Sequence, residues 1–407
     1  MTDERTFVVV GGGLAGAKAV EALRDKGFGG RLVLFAGEDH LPYERPPLSK
    51  DYLKTGEGLD DAFVHDEDWY AAHDIDVRTG TVIASVDRDA REVVTAAGER
   101  TGWDRLLLAT GSSPRHLDLP GADLDGVVSL RTIEDSNRLR GALKPQARVV
   151  LVGGGWIGLE VAAAAREAGA TVTVLESLDL PLVRVLGPKV AQVFADLHRE
   201  HGVDLRTGVQ VEELVGEGGS VTGVRLADGS TVPADLVVVG IGAAPNTSLA
   251  ADAGLDVDNG VVADAVGRTS DPDIFAVGDV ANVEHPFLGR RVRVEHWANA
   301  LNQPTLVASA MLDQPGPEAE LPYFFTDQYD LGMEYHGLGS PDDEVVVRGD
   351  LAGREFVAFW LRDGVVTAGM NVNVWDVGDA VKGLIHSRSQ VDRAQLADPD
   401  VPLEILT

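Results

Sequence analysis

Two glycine patterns carry most of the chemistry that this chain of 407 residues could perform. Gly11-Gly12-Gly13-Leu14-Ala15-Gly16 and Gly153-Gly154-Gly155-Trp156-Ile157-Gly158 both read Gly-x-Gly-x-x-Gly. In that spacing the first glycine permits a tight turn, the second lets backbone approach a pyrophosphate, and the third lets a helix pack closely on a strand. A helix starting there offers unpaired N–H groups and the positive end of its dipole to phosphate oxygens. An acid follows each pattern. Glu38 has the chemistry to accept hydrogen bonds from a ribose 2′-hydroxyl, and Glu176, followed by uncharged Ser177 and Leu178, would repel a 2′-phosphate. Two patterns imply two dinucleotides, and the economical pair is a flavin and a nicotinamide, acceptor and donor of one hydride. Glu176 favours NADH over NADPH; Arg184, near it in sequence, weakens that preference or meets a pyrophosphate or solvent instead.

The elements that must position these glycines stand around them. Val8-Val9-Val10 leads into the first pattern, Ala15, Ala19, Ala22 and Leu23 recur at helical spacing after it, and Leu32-Val33-Leu34-Phe35 reads as a second strand. The plan repeats with Arg148-Val149-Val150-Leu151-Val152, a helical segment over 159–168, and Thr171-Val172-Thr173-Val174-Leu175-Glu176. Each copy is a βαβ unit with its glycines at the strand-to-helix turn.

Composition narrows the chemistry further. The chain has no cysteine, which excludes disulfides, thiolate metal sites, iron–sulfur ligation by this chain and any thiol nucleophile or redox pair. No metal site is expected. With 65 acidic against 35 basic side chains and a formal net charge of −30, nucleic acid and anionic membrane surfaces would repel it. Hydrophobic residues at 44% and charged residues at 25% are the proportions of an ordinary globular protein, and the length suits about two to four domains. Met1-Thr2-Asp3-Glu4-Arg5 is polar and acidic, unlike a secretory signal. The most apolar long segment, 149–175, is interrupted by glycines and by Glu160, Arg166 and Glu167. A cytoplasmic protein is expected.

Four more motifs follow in order: Pro42-Tyr43-Glu44-Arg45-Pro46-Pro47-Leu48-Ser49-Lys50, Leu106-Leu107-Leu108-Ala109-Thr110-Gly111, Asp235-Leu236-Val237-Val238-Val239-Gly240-Ile241-Gly242-Ala243-Ala244-Pro245-Asn246, and Ile274-Phe275-Ala276-Val277-Gly278-Asp279-Val280. The consecutive prolines predict an extended loop, with a helix able to restart over 48–53. With the glycine patterns, these motifs resemble the FAD-dependent pyridine-nucleotide reductases, within them the single-chain ferredoxin and rubredoxin reductases that serve bacterial oxygenases. The resemblance runs from residue 6 to about residue 386.

That resemblance implies an α/β protein with two Rossmann-like dinucleotide-binding domains in a glutathione-reductase-like arrangement, plus a small C-terminal α+β domain. The implied boundaries are 1–112 with 235–313 for FAD, 113–234 for NAD, and 314–407 for a C-terminal interface domain. The implied flavin set is Gly11, Gly13, Leu14, Ala15, Gly16, Glu38, Arg45, Lys50, Val82, Ala109, Thr110, Gly111, Arg115, Gly278, Asp279, Glu295, His296 and Trp297. Within it, Lys50 approaches the N5 edge, Gly278 allows close approach, and Asp279 bonds a ribityl hydroxyl. A helix opening at Glu295-His296-Trp297 would aim its dipole at the flavin N1–C2=O edge, although Trp297 also suits a core aromatic and His296 a satisfied polar neighbour. The implied NAD set is Gly153, Gly155, Trp156, Ile157, Gly158, Glu160, Glu176, Arg184 and Gly242. Lys50 and Glu160 are the candidate catalytic residues. Glu160 is read in the first turn of its helix, either pairing with Lys50 across the flavin or simply stabilising a helix N-terminus.

Lacking cysteine, the chain cannot run the thiol-dependent reductions of the wider superfamily, so reduced flavin must pass electrons to an outside acceptor. The resemblance implies NADH and FAD as cofactors and a 2Fe–2S ferredoxin, or rubredoxin, as one-electron acceptor, feeding an oxygenase. Alternatives are reduction of a quinone or small acceptor, and an NADH-sensing protein resembling the apoptosis-inducing flavoproteins. A monomer or weak homodimer is expected. After Gln314-Pro315-Gly316-Pro317, short strands are predicted around 345–347, 355–361 and 365–374. In Pro322-Tyr323-Phe324-Phe325-Thr326-Asp327-Gln328 the family's usual Trp is replaced by Phe325, so direct transfer from the flavin edge is expected. Arg290 and Arg291 would steer an acidic partner, or form an ordinary solvated strand face.

Overall fold

The structure is a computed structural model and describes residues 3–406. The chain divides into two compact units: the first holds residues up to 45, 58–113 and 243–322, and the second holds 46–57, 114–242 and the residues from 323 onward.

In the first unit a parallel sheet runs in the order Ile274–Ala276, Arg105–Leu108, Thr6–Val10, Arg31–Phe35, Ile75–Arg78. Val8, Val9, Leu106 and Leu107 have no exposed surface. Both faces are therefore covered, which is why these strands read as unbroken apolar runs and not as alternating ones. Helix Leu14–Asp25 lies along helix Trp297–Met311. Ala15, Ala19 and Leu23 meet Val307, Ala308 and Met311 in one core with Phe7 and Leu34.

The second unit repeats the plan. Its parallel sheet runs Asp204–Arg206, Thr171–Leu175, Arg148–Val152, Leu236–Val239, Val127–Val128. The two sheets differ in their outermost strand, which comes late in the chain in the first and early in the second. This unit also contains an antiparallel sheet in the order Tyr323–Gln328, Leu331–Gly337, Val365–Val372, Glu355–Arg362, Glu344–Asp350. Tyr335, Phe356, Trp360 and Met370 from that sheet share a core with Leu186, Val190, Phe194 and Leu197 of helix Val183–Glu200. By compactness the C-terminal residues group with 114–242, and their antiparallel sheet is the mixed α/β segment expected at the end of the chain.

One local expectation is corrected. Pro46–Ser49 is a 3-10 turn, not extended chain, and leads through Lys50 into helix Asp51–Thr55. Proline is unfavourable inside a helix but fits a first turn, where its fixed φ suits the geometry and its missing N–H has no partner to lose. Among the described residues no helix is long and apolar enough to cross a membrane.

Candidate active site

In the first unit, strand Thr6–Val10 delivers Gly11 at φ +127°. A Cβ on Gly11 would lie 2.0 Å from the Ala109 carbonyl oxygen, and one on Gly16 would lie 2.0 Å from that of Gly11. These glycines are required by the backbone itself. Gly13 differs, because a Cβ there would meet no protein atom within 4 Å. It precedes a helix whose N-terminus has no side-chain cap, so its free space and unpaired N–H groups suit a pyrophosphate.

The other expected flavin residues in this unit fall into small bonded groups. The Glu38 carboxylate accepts from Arg45 Nη2 at 2.7 Å and from the Tyr43 hydroxyl. Burial opposes the charge on Arg45, yet Tyr43, Glu38 and Asp279 together hold its pKa above the ordinary value. Val82 is exposed and lies beside Gly37. Thr110 and Asn246 exchange two bonds, Thr110 Oγ1 to the Asn246 carbonyl at 2.9 Å and Asn246 Nδ2 to the Thr110 carbonyl at 2.8 Å. Gly111 follows with φ +67°. Gly278, at φ +74°, donates its N–H to Gln303 Oε1 at 2.8 Å, and Asp279 accepts from Ser112 Oγ at 2.8 Å. Trp297 opens its helix, again without a side-chain cap, and donates its indole N–H to Glu44 Oε2 at 2.9 Å. Glu295 pairs with Arg293. Burial pushes His296 down to about 4, with Asp279 opposing, so its imidazole is neutral near pH 7.

Two residues expected beside the flavin, Lys50 and Arg115, belong to the second unit. There the glycine turn is built as in the first. Gly153 has φ +104°, with a Cβ position 2.4 Å from the Gly240 carbonyl, and a Cβ on Gly158 would lie 2.6 Å from that of Gly153. Gly155 again has room, its Cβ position meeting only the Gly240 carbonyl at 3.6 Å. Glu176 accepts from the Gly154 N–H through Oε2 and from the Leu178 N–H through Oε1, both at 2.8 Å. Arg115 donates its backbone N–H to the Gly242 carbonyl at 2.9 Å, and both residues are exposed. Arg184 is exposed on the short turn before Gly187 breaks helix Val183–Glu200. Trp156 is half-buried against Phe194 and Phe324, whereas Ile157, Val185 and Ile241 present apolar surface to solvent.

Glu160 needs a correction. Its helix begins at Trp156, because Gly155 is still extended at φ −79° and ψ 176°, so Glu160 falls at the start of the second turn. It is 4% exposed, too deep to serve as an ordinary first-turn acid. Lys50 Nζ lies 2.6 Å from Glu160 Oε1, a direct contact with no space for a ring between them. Thr326 Oγ1 donates to the same oxygen at 2.6 Å and Ser49 Oγ donates to Oε2. Lys50 Nζ also sits 5.4 Å from the Phe325 ring centroid, within cation–π range. Sequence reasoning missed Ser49 and Thr326, although both lie inside quoted motifs, and it missed the Thr110–Asn246 exchange and Gln303. Arg290 and Arg291 are both exposed, and the Arg291 guanidinium also donates to the carbonyls of Ala263 and Asn282. Among the described residues no group of carboxylates and histidines could hold a metal ion.

Comparison with known proteins agrees with this geometry. Residues 5–303 match the family described as pyridine nucleotide-disulphide oxidoreductase, and residues 323–407 match a reductase C-terminal family. The probable ferredoxin reductase CtmF of Castellaniella defragrans is 40% identical over all of both chains. Putidaredoxin reductase CamA of Pseudomonas putida is 39% identical, over 99% of this chain and 97% of that one. The crystal structure of the covalent putidaredoxin reductase–putidaredoxin complex superposes with a TM-score of 0.96 at 38% identity, over 99% of this chain and 98% of that one. On these matches the chain belongs to the pyridine nucleotide-disulphide oxidoreductase family.

Proposed function

We propose that the protein is an NADH-dependent FAD reductase that delivers electrons one at a time to a 2Fe–2S ferredoxin, working in the cytoplasm beside an oxygenase. The observation that carries the reading is the Lys50–Glu160 ion pair, its carboxylate buried on the helix of the second glycine turn and its ammonium partly exposed, in a chain with no cysteine. Relatives named as ferredoxin–NAD(+) reductase components of dioxygenase systems, over nearly the whole chain, support the choice of acceptor. FAD, when bound, supplies a centre that takes two electrons together and gives them up singly, as an iron–sulfur acceptor requires.

The chain's own residues account for the rest. In the first unit Gly13 leaves open the space a pyrophosphate needs, and Asp279 and Arg45 offer an acceptor and a fixed cation. In the second unit Glu176, held by two backbone N–H groups, keeps a negative charge where a ribose would lie and disfavours a 2′-phosphate there. The Lys50 ammonium, neutralised by Glu160, offers a positioned donor without a net buried charge.

The test is anaerobic titration with NADH followed by oxidised 2Fe–2S ferredoxin, watching flavin absorbance bleach and recover. Recovery within seconds, with ferredoxin reduced at two per NADH, is expected. Recovery only with quinone or dioxygen would assign the protein a different acceptor.

A further inference from the structure

Behind the Lys50–Glu160 pair lies a chain of hydrogen bonds that no dinucleotide contact explains. We propose that Tyr329, His198, Gln328 and Thr326 form a one-directional donor chain that fixes the Glu160 carboxylate, with Thr326 its positioning residue for electron entry. The inference rests on the reading of Lys50 and Glu160 above.

The direction of the chain follows from its end. An ionised carboxylate only accepts, so the Thr326 hydroxyl, 2.6 Å from Glu160 Oε1, must donate. Its own oxygen then accepts, and Gln328 Nε2 donates to it at 3.2 Å. That orients the Gln328 amide and leaves its carbonyl oxygen to accept from His198 Nε2 at 2.9 Å. His198 therefore carries its proton on Nε2, and Nδ1 is free to accept from the Tyr329 hydroxyl at 3.5 Å, the weakest link. Every dipole points the same way, an arrangement in which each bond polarises the next toward the anion.

Burial makes the arrangement costly to leave incomplete. Thr326 and Gln328 are each 1% exposed and His198 is fully buried, so no solvent replaces a lost partner. Burial also pushes His198 down to about 4, which keeps the ring neutral and its single donor aimed at Gln328. Tyr329 gives independent support. It occupies the tight turn between strands Tyr323–Gln328 and Leu331–Gly337 with φ +56°, a left-handed conformation that a bulky side chain adopts only at a cost. There its ring stacks on His201 at 3.7 Å and its hydroxyl faces His198. Glycine or asparagine would make the turn more easily but could not reach the imidazole.

Thr326→Val keeps the shape and removes the hydroxyl. Flavin reduction by NADH in this variant should slow about tenfold with the NADH KM changed less than about twofold, and Thr326→Ser should restore the rate. In a Glu160→Gln background the same substitution should add little, because its effect passes through the carboxylate. A second readout needs no turnover: with 13C-labelled glutamate, the carboxyl resonance that disappears in Glu160→Gln should shift in Thr326→Val and in Gln328→Leu and return in Thr326→Ser. An unmoved resonance in the folded variants overturns the proposal even if the enzyme works as proposed. A moved resonance with no slowing, or losses that add fully in the double variant, overturns the role in electron entry. Failure of wild-type protein to be reduced by NADH would instead strike the functional reading and leave the resonance test standing.

Discussion

In the first unit the two residues after the middle glycine, Leu14 and Ala15, are 7% and 8% exposed, while in the second Trp156 is half-buried and Ile157 is 47% exposed. The turns beneath them are built alike, with first glycines at φ +127° and +104° closing on a carbonyl from the neighbouring strand. The acids differ as well. Ala36 stands beside Gly12 where Glu176 stands beside Gly154, and Glu38 lies further on, held by the Tyr43 and Arg45 side chains. One skeleton therefore carries two differently exposed helix starts. The first encloses its helix start in a finished core, as suits a cofactor that stays. The second leaves an apolar step open, as suits a substrate that must arrive and leave.

The sharpest way to break that comparison is to fill the two cradles separately. Gly13→Ala places its methyl where no protein atom lies, and Gly155→Ala meets only ordinary contact, so both apo-folds should melt as wild type. Overpacking of about 1–3 kcal/mol would then fall on the ligand, roughly 5- to 150-fold in affinity. We expect Gly13→Ala to purify with most of its flavin missing and Gly155→Ala to keep its flavin but bind NADH weakly. Flavin absorbance and NADH titration decide it, and loss of flavin from both variants would make the two sites equivalent.

The acid comes next in size. Glu176→Gln replaces one of two accepting oxygens with an N–H2 facing a backbone donor and removes the charge. A tenfold fall in kcat/KM for NADH, about 1.4 kcal/mol, is expected, with the value for NADPH rising or unchanged. An equal fall for both nucleotides would show that Glu176 braces the loop without reading the ribose. Glu38→Gln should leave both values near wild type and act on flavin retention instead.

How far the sequence exposed these sites depended on distance along the chain. The glycine turns were legible because every determinant is local: a β-branched run, three glycines and a helical alanine pattern within one βαβ unit. The proline turn misled, since the rule against proline in helices applies to interiors and Pro46 and Pro47 occupy a first turn. Lys50 and Glu160 lie 110 residues apart, and only the family resemblance joined them. Thr326 reaches Glu160 across 166 residues, and no periodicity records a contact of that kind. Within the motif Phe325 is the residue that departs from the family, and nothing in the spacing marks the Thr326 hydroxyl beside it. The helix expected from residue 159 starts at Trp156, which moves Glu160 from the first turn to the second.

The smallest expected effect tests the open step itself. Ile157 is 47% exposed, so Ile157→Ala removes methylenes that do little for the folded protein, and the melting temperature should stay within the change expected of a surface substitution, about 0.5 kcal/mol. A nicotinamide dinucleotide seated on the second helix would cover that side chain. Losing about half of an isoleucine's burial is worth roughly 1 kcal/mol, so the NADH KM should rise about fivefold while kcat holds. Val185 and Ile241, exposed in the same unit, give the internal control: if alanine at either position raises KM as much as at Ile157, the apolar step is a broad surface, and if none of the three does, the nucleotide binds without using the exposure that separates the second helix from the first.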